Sequence, residues 1–142
     1  MSSAGKLLVP DDPVARLLGY LAAVWPELVG GVEPRPARHR GTHLQVTRAP
    51  AGGRRDWPLV ESLLVCDVSH EDALRAGQDV ERLHSLVDVW PWEDPAIERD
   101  PLSDGASPAY NPLPERIPAY TISFKVKLIA GAPAPDYLST TD

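Results

Sequence analysis

The sequence predicts an α+β fold, a mainly antiparallel sheet of about four strands with two amphipathic helices packed on it. Three observations carry that expectation. Apolar residues recur at intervals of three and four near residues 12–25 and again near 70–88. They alternate with polar residues in 43–47 and 119–128, the period of a half-buried strand. The chain has 142 residues and 43% hydrophobic content, the size and composition of one domain with one core.

The first helix is expected over about residues 12–25. Asp12 suits the N-cap and Pro13 the first helical position. Val14, Leu17, Leu18, Leu21, Val24 and Leu28 supply the apolar stripe. Pro26 disfavours helix at Trp25 and ends the run. Gly30-Gly31 then turns the chain, and Val32–Arg35 is expected to form a short edge strand, where prolines are tolerated.

In "THLQVTRAP", Leu44 and Val46 alternate with His43, Gln45 and Thr47, which predicts a strand. A longer, more apolar strand follows in "LVESLLVCDV", residues 59–68. Between them lies "RAPAGGRRDWP". It is read as a hairpin tip, with the turn permitted by Gly52 and Gly53 and with Arg54, Arg55 and Asp56 projected outward.

The second helix is expected over about 70–88. Ser69 and Asp72 stand at capping-box spacing, and Ala73, Ala76, Val80, Leu83 and Val87 make the apolar stripe. Residues 90–118 hold seven prolines and break every period, so they are expected to form a long loop without a long helix. The last strand is "AYTISFKVKLIAG", with Tyr120, Ile122, Phe124, Val126 and Leu128 on one face. Residues 1–131 thus form the single domain, including the loop 90–118, and 132–142 a flexible tail.

Composition narrows the function. A net charge of −6 and a pI near 5.1 argue against general nucleic-acid binding. The lone Cys66 excludes an internal disulfide, fits a reducing compartment and reads as a small buried hydrophobe. No secretory signal is legible in "MSSAGKLLVPDDP", and the apolar region 17–32 is interrupted by Pro26 and Glu27. The expectation is a soluble protein made inside the cell.

Signatures of catalysis are sparse. A phosphate loop needs glycines that open onto a helix, whereas "GGRRD" opens onto a strand and lacks the lysine. No G-x-G-x-x-G, G-x-S-x-G or H-E-x-x-H occurs. His39 and His43 lie close in sequence but read as a surface pair, with too few partners for zinc. Glu93, Asp94, Glu98, Asp100 and Asp104 read as a solvated acidic loop, because nothing apolar surrounds them to raise a carboxyl pKa. No enzyme activity, cofactor or metal is expected.

One asymmetry stands out. Arg35, Arg38, Arg40, Arg48, Arg54 and Arg55 concentrate positive charge before residue 56, while 93–104 is acidic. A chain with unlike ends can pair head to tail with copies of itself, and such heterologous contacts close into rings; the alternative is that both segments are solvated loops.

The order of elements, with the contexts "V-x-R-x-x-x-G-G" at 46–53 and "P-x-Y" before the last strand, resembles the tail terminator proteins of long-tailed, siphovirus-type phages, especially those of actinobacterial hosts. The resemblance covers roughly residues 10–131. It implies a structural virion protein forming a homo-hexameric ring at the head-proximal end of the tail tube. Such a ring stops tube polymerisation and offers a surface to head-completion and neck proteins. It implies location at the head–tail junction of the virion, and in the host cytoplasm during assembly. DNA would pass through the ring without specific binding, past a negative lumen, and no membrane is involved.

The family has no catalytic residues to transfer. Arg48, Arg54, Arg55, Asp56 and Trp57 are candidates for touching a neighbouring subunit or the tube protein. Trp90 and Trp92 are candidates for burial at an interface, with packing inside the chain as the alternative for each. Two other functional readings stay open. One is another neck component, such as a stopper or head-completion protein. The other is a small cytoplasmic α+β ligand-binding protein or enzyme, which requires a concave pocket with converging polar groups.

Overall fold

Asp12 accepts a hydrogen bond from the Val14 N–H at 2.9 Å and so starts the first helix, α1 (Pro13–Val24), at the expected place. The computed structural model of the chain describes residues 12–56, 59–98 and 108–129, with backbone alone for 50–56 and 59–60. After α1 come β1 (Val29–Gly31), β2 (His43–Asp56), β3 (Leu59–Ser69), α2 (Ala73–Glu93), β4 (Ile97–Glu98), β5 (Ala109–Tyr110), a 3₁₀ turn (Pro114–Arg116) and β6 (Ala119–Ile129).

The architecture is α+β, with two helices and a mixed sheet. The strand order is β1-β2-β3-β6-β4, and β5 pairs with β6 as well. The three long strands are antiparallel, as expected, and make the framework. The sheet exceeds the four strands expected, because three short strands border it. β1 runs parallel to β2, with Val29 opposite His43. It lies just before the expected edge strand Val32–Arg35, since Gly30 and Gly31 pair with β2 instead of turning the chain.

The pleat explains the core. Leu44, Val68 and Tyr120 lie in one row, and Val46, Cys66 and Ile122 in the next. Leu64 and Phe124 continue that face. These side chains, apart from the half-buried Tyr120, are buried with Leu17, Leu21, Val80, Leu83 and Val87 of the helices. Cys66 sits at 0% exposure, and burial pushes its thiol pKa up to about 12, so it is the inert hydrophobe expected.

Two expected boundaries shift. The ladder between β2 and β3 continues past Gly52-Gly53, with Pro50 opposite Ser62 and Arg55 opposite Val60. Four residues of β2, 51–54, therefore face one of β3, Glu61, so the glycines lie in a bulge and not in the turn. Pro50 is tolerated because β1 pairs only with His43–Gln45, which leaves β2 at the edge there among the described residues.

The second helix also starts later and runs further than 70–88. Ser69 belongs to β3, and Asp72 caps α2 by accepting from the Leu74 N–H at 2.9 Å. The helix passes through Pro91 to Glu93. An interior proline costs about 3 kcal/mol, and burying a tryptophan offsets a similar amount. Trp90 supplies that burial, at 0% exposure and stacked on Tyr20 with ring centroids 6.1 Å apart. Trp90 is therefore a core residue and offers no surface to a partner.

Asp94 corrects the reading of an acidic solvated loop. It is buried at the end of α2, where both carboxylate oxygens accept from Arg16 Nη1 at 2.7 Å. Its Oδ1 also accepts from the Ala96 N–H at 3.2 Å. Glu93 and Glu98 are exposed, as expected, while Asp100 and Asp104 lie outside the described residues. The expected tail 132–142 lies outside them too.

Candidate functional site: a braced arginine and histidine loop

Residues 33–42 join β1 to β2 and carry three arginines and a histidine in ten positions. The loop has no regular structure to hold it, so its backbone and polar groups need partners from elsewhere. Arg35 supplies the first brace. Its side chain is 4% exposed and lies against the junction of β3 and α2. Nη1 donates to Ser69 Oγ at 3.0 Å, while Nη2 donates to the His39 carbonyl and to Glu71 Oε1, each at 3.1 Å.

Glu71 is the second brace. Its Oε1 also accepts from the Gly41 N–H at 2.8 Å. Gly41 has φ of +92°, a backbone angle that side-chain-bearing residues rarely adopt, so glycine is required for the amide to point there. Backbone N–H donors, first its own and then that of Gly41, hold the Glu71 carboxyl down to about 2, with His70 and Arg35 adding to the effect.

A third brace joins the loop to α2. Thr42 Oγ1 donates to Asp79 Oδ2 in a short hydrogen bond, and Asp79 is 6% exposed. His39 Nε2 lies 3.0 Å from the Thr42 carbonyl, and its ring meets His43 edge-on at a centroid distance of 5.5 Å. His43 is buried at 5% exposure, so the expected surface pair of histidines is half inside. Burial, with His39 and Arg35 nearby, lowers the pKa of His43 and favours its neutral form.

The three braces fix a loop whose two remaining arginines, Arg38 and Arg40, are exposed. Neither has an ion-pair partner among the described residues. With Ala37, His39 and Glu71 they line an open depression of about 520 Å³. Among the described residues no group of His, Cys, Asp and Glu is arranged to hold a metal ion. What this arrangement can do is present cationic, planar side chains around a recess whose internal acid is already engaged by Arg35 and Gly41.

The sequence singles out a different set. Arg48 is exposed on β2, on the strand face that carries Leu44 and Val46. Arg54, Arg55 and Asp56 continue β2 as backbone, and Trp57 lies outside the described residues. Trp92 is 84% exposed near the end of α2. Of the described side chains in this set, neither Arg48 nor Trp92 lines the depression of the braced loop. Glu71, Thr42 and Asp79 escaped notice because each is separated by some thirty residues or more from the group it holds. The Arg and His density of 35–43 was the only signal.

No protein-family model matches the chain, and no curated protein matches it. No helix among the described residues is long and apolar enough to cross a membrane.

Proposed function

We propose that this chain is a structural virion protein like the tail terminators it resembles, a subunit of a hexameric ring that caps the head-proximal end of a tail tube. The ring stops tube growth and gives neck proteins their docking surface. One observation carries the reading: the molecule has two unlike exposed surfaces at opposite ends of α2. At one end stand Arg38 and Arg40, and at the other Trp92 and Val89, which are 84% and 47% exposed. Unlike surfaces on one chain favour heterologous contacts, the kind that generates rings. The net charge of −6 suits a conduit through which DNA slides without sticking.

The test is electron microscopy of the purified chain, alone and mixed with the polymerising tail tube protein of the same phage. We expect six-fold rings, and tubes capped at one end whose lengthening stops. Tubes that grow unchanged, with no ring on either end, would overturn the reading. A ring that binds neck proteins but never the tube would move it to a stopper or connector.

A further inference from the structure

We infer that Trp92 of one copy seats in the Arg38–His39–Arg40 depression of a second copy, so that the two ends of α2 are the two halves of one head-to-tail contact. The inference rests on the ring reading for its occupant, a second copy of this chain. It goes beyond that reading in naming which surfaces meet.

Trp92 is the most exposed of the large hydrophobic side chains described, and Val89 lies one turn before it. An indole left in water is an unused source of binding free energy, and tryptophan dominates interface energetics. Its helix face is acidic. Glu81, Ser85, Asp88 and Trp92 follow at intervals of four, three and four, and all four are exposed, with exposed Glu93 beside them.

The recess has the complementary character. Its volume of about 520 Å³ admits an indole ring, and two exposed guanidinium groups stand at its wall. The chain already makes this type of contact internally, where the Arg82 guanidinium lies 4.2 Å from the centre of the Trp25 ring. The carboxylates around Trp92 face Arg38 and Arg40 in such a contact, so the charges agree. Because Arg35, Glu71 and the Thr42–Asp79 hydrogen bond already fix the loop, little ordering is needed on binding.

Geometry rules out satisfaction within one chain. Glu71 and Trp92 flank the two ends of a 21-residue helix, which spans about 30 Å. The two surfaces differ, so the contact is heterologous and repeats from copy to copy.

The experiment uses the full chain and two variants, Trp92→Ala and Arg38→Glu/Arg40→Glu, followed by sedimentation equilibrium over a concentration series and by tryptophan emission. The wild type is expected to self-associate with a blue shift in emission. Each variant is expected to associate at least about tenfold more weakly. The decisive sample is an equimolar mixture of the two variants. The first keeps an intact recess and the second an intact Trp92, so the mixture forms a one-to-one dimer and nothing larger. Wild-type self-association that both variants retain overturns the inference and leaves the ring reading standing. A mixture that gives no dimer overturns it as well, as does a wild type that stays monomeric throughout. In that last case tube capping still decides the ring reading separately.

Discussion

Two arginine–carboxylate pairs organise this molecule, and they do opposite work. Arg16 and Asp94 join the start of α1 to the end of α2, with side chains 0% and 1% exposed. Arg35 and Glu71 join the loop 33–42 to the junction of β3 and α2, and the Glu71 side chain is 45% exposed. The first pair is a fastener inside the core. The second is a bracket that holds a surface loop in shape. Buried charges must be paired to be tolerated, and in the outer pair only Arg35 is buried, at 4% exposure, while Glu71 reaches solvent and gains less from its charge. The inner pair therefore governs whether the chain folds, and the outer one governs what the folded chain presents.

Breaking the inner pair should have the largest effect. Asp94→Asn leaves the Arg16 guanidinium buried without its counter-charge, and loss of one partner of such a pair costs about 3–5 kcal/mol. Urea unfolding followed by far-ultraviolet circular dichroism measures this as a lower midpoint. The double variant Arg16→Met/Asp94→Leu should recover much of the loss, because well-packed apolar residues replace buried ion pairs at little cost. A double variant as unstable as Asp94→Asn would show that packing, and not charge, sets the effect.

The outer pair should respond to pH in place of mutation alone. The Glu71 carboxyl is held down to about 2, below its ordinary value of 4.5. A carboxyl depressed by folding contributes stability that is present above its unfolded pKa and is lost as pH falls through the folded one. The window is therefore pH 4.5 down to 2. In Glu71→Gln this component should vanish, and the amide resonance of Gly41 should lose its titration in that range. A Gly41 amide that titrates alike in both proteins would show that Glu71 is not its acceptor. His43 works in the same direction, higher on the scale, because its folded pKa is lowered too. Its neutral form favours the fold, and that contribution fades as pH falls below 6.5.

The contrast between the pairs also marks what the sequence could reveal. Helix α1, the three long strands and most of α2 follow from periodicity and caps, since Asp12, Leu17 and the alternation from Tyr120 to Leu128 are local signals. The hairpin turn was misplaced because Gly52-Gly53 is a turn signal that a strand can also absorb as a bulge. The end of α2 was missed because Pro91 is a local stop signal, overridden by burial of Trp90 against Tyr20. Both ion pairs were invisible, being separated by 78 and 36 positions. For the same reason Asp94 looked like a solvated carboxylate, though a tertiary partner had neutralised the cost of burying it.

Trp92 gives the smallest effect on stability and the sharpest test of the division between fold and surface. It sits two residues before Asp94 on the last turn of α2, yet it is 84% exposed. Replacing it by alanine removes little buried area, and alanine is the better helix former by a few tenths of a kcal/mol. The unfolding midpoint of Trp92→Ala should therefore match the wild type, within about 0.5 kcal/mol in free energy. The comparison requires dilute protein, because any contact between folded copies adds apparent stability as concentration rises. Under those conditions an unchanged midpoint, together with weakened self-association, assigns Trp92 to the surface that meets a partner. A loss of stability in the dilute monomer would place Trp92 instead with Trp90, as part of what holds α2 to the rest of the fold.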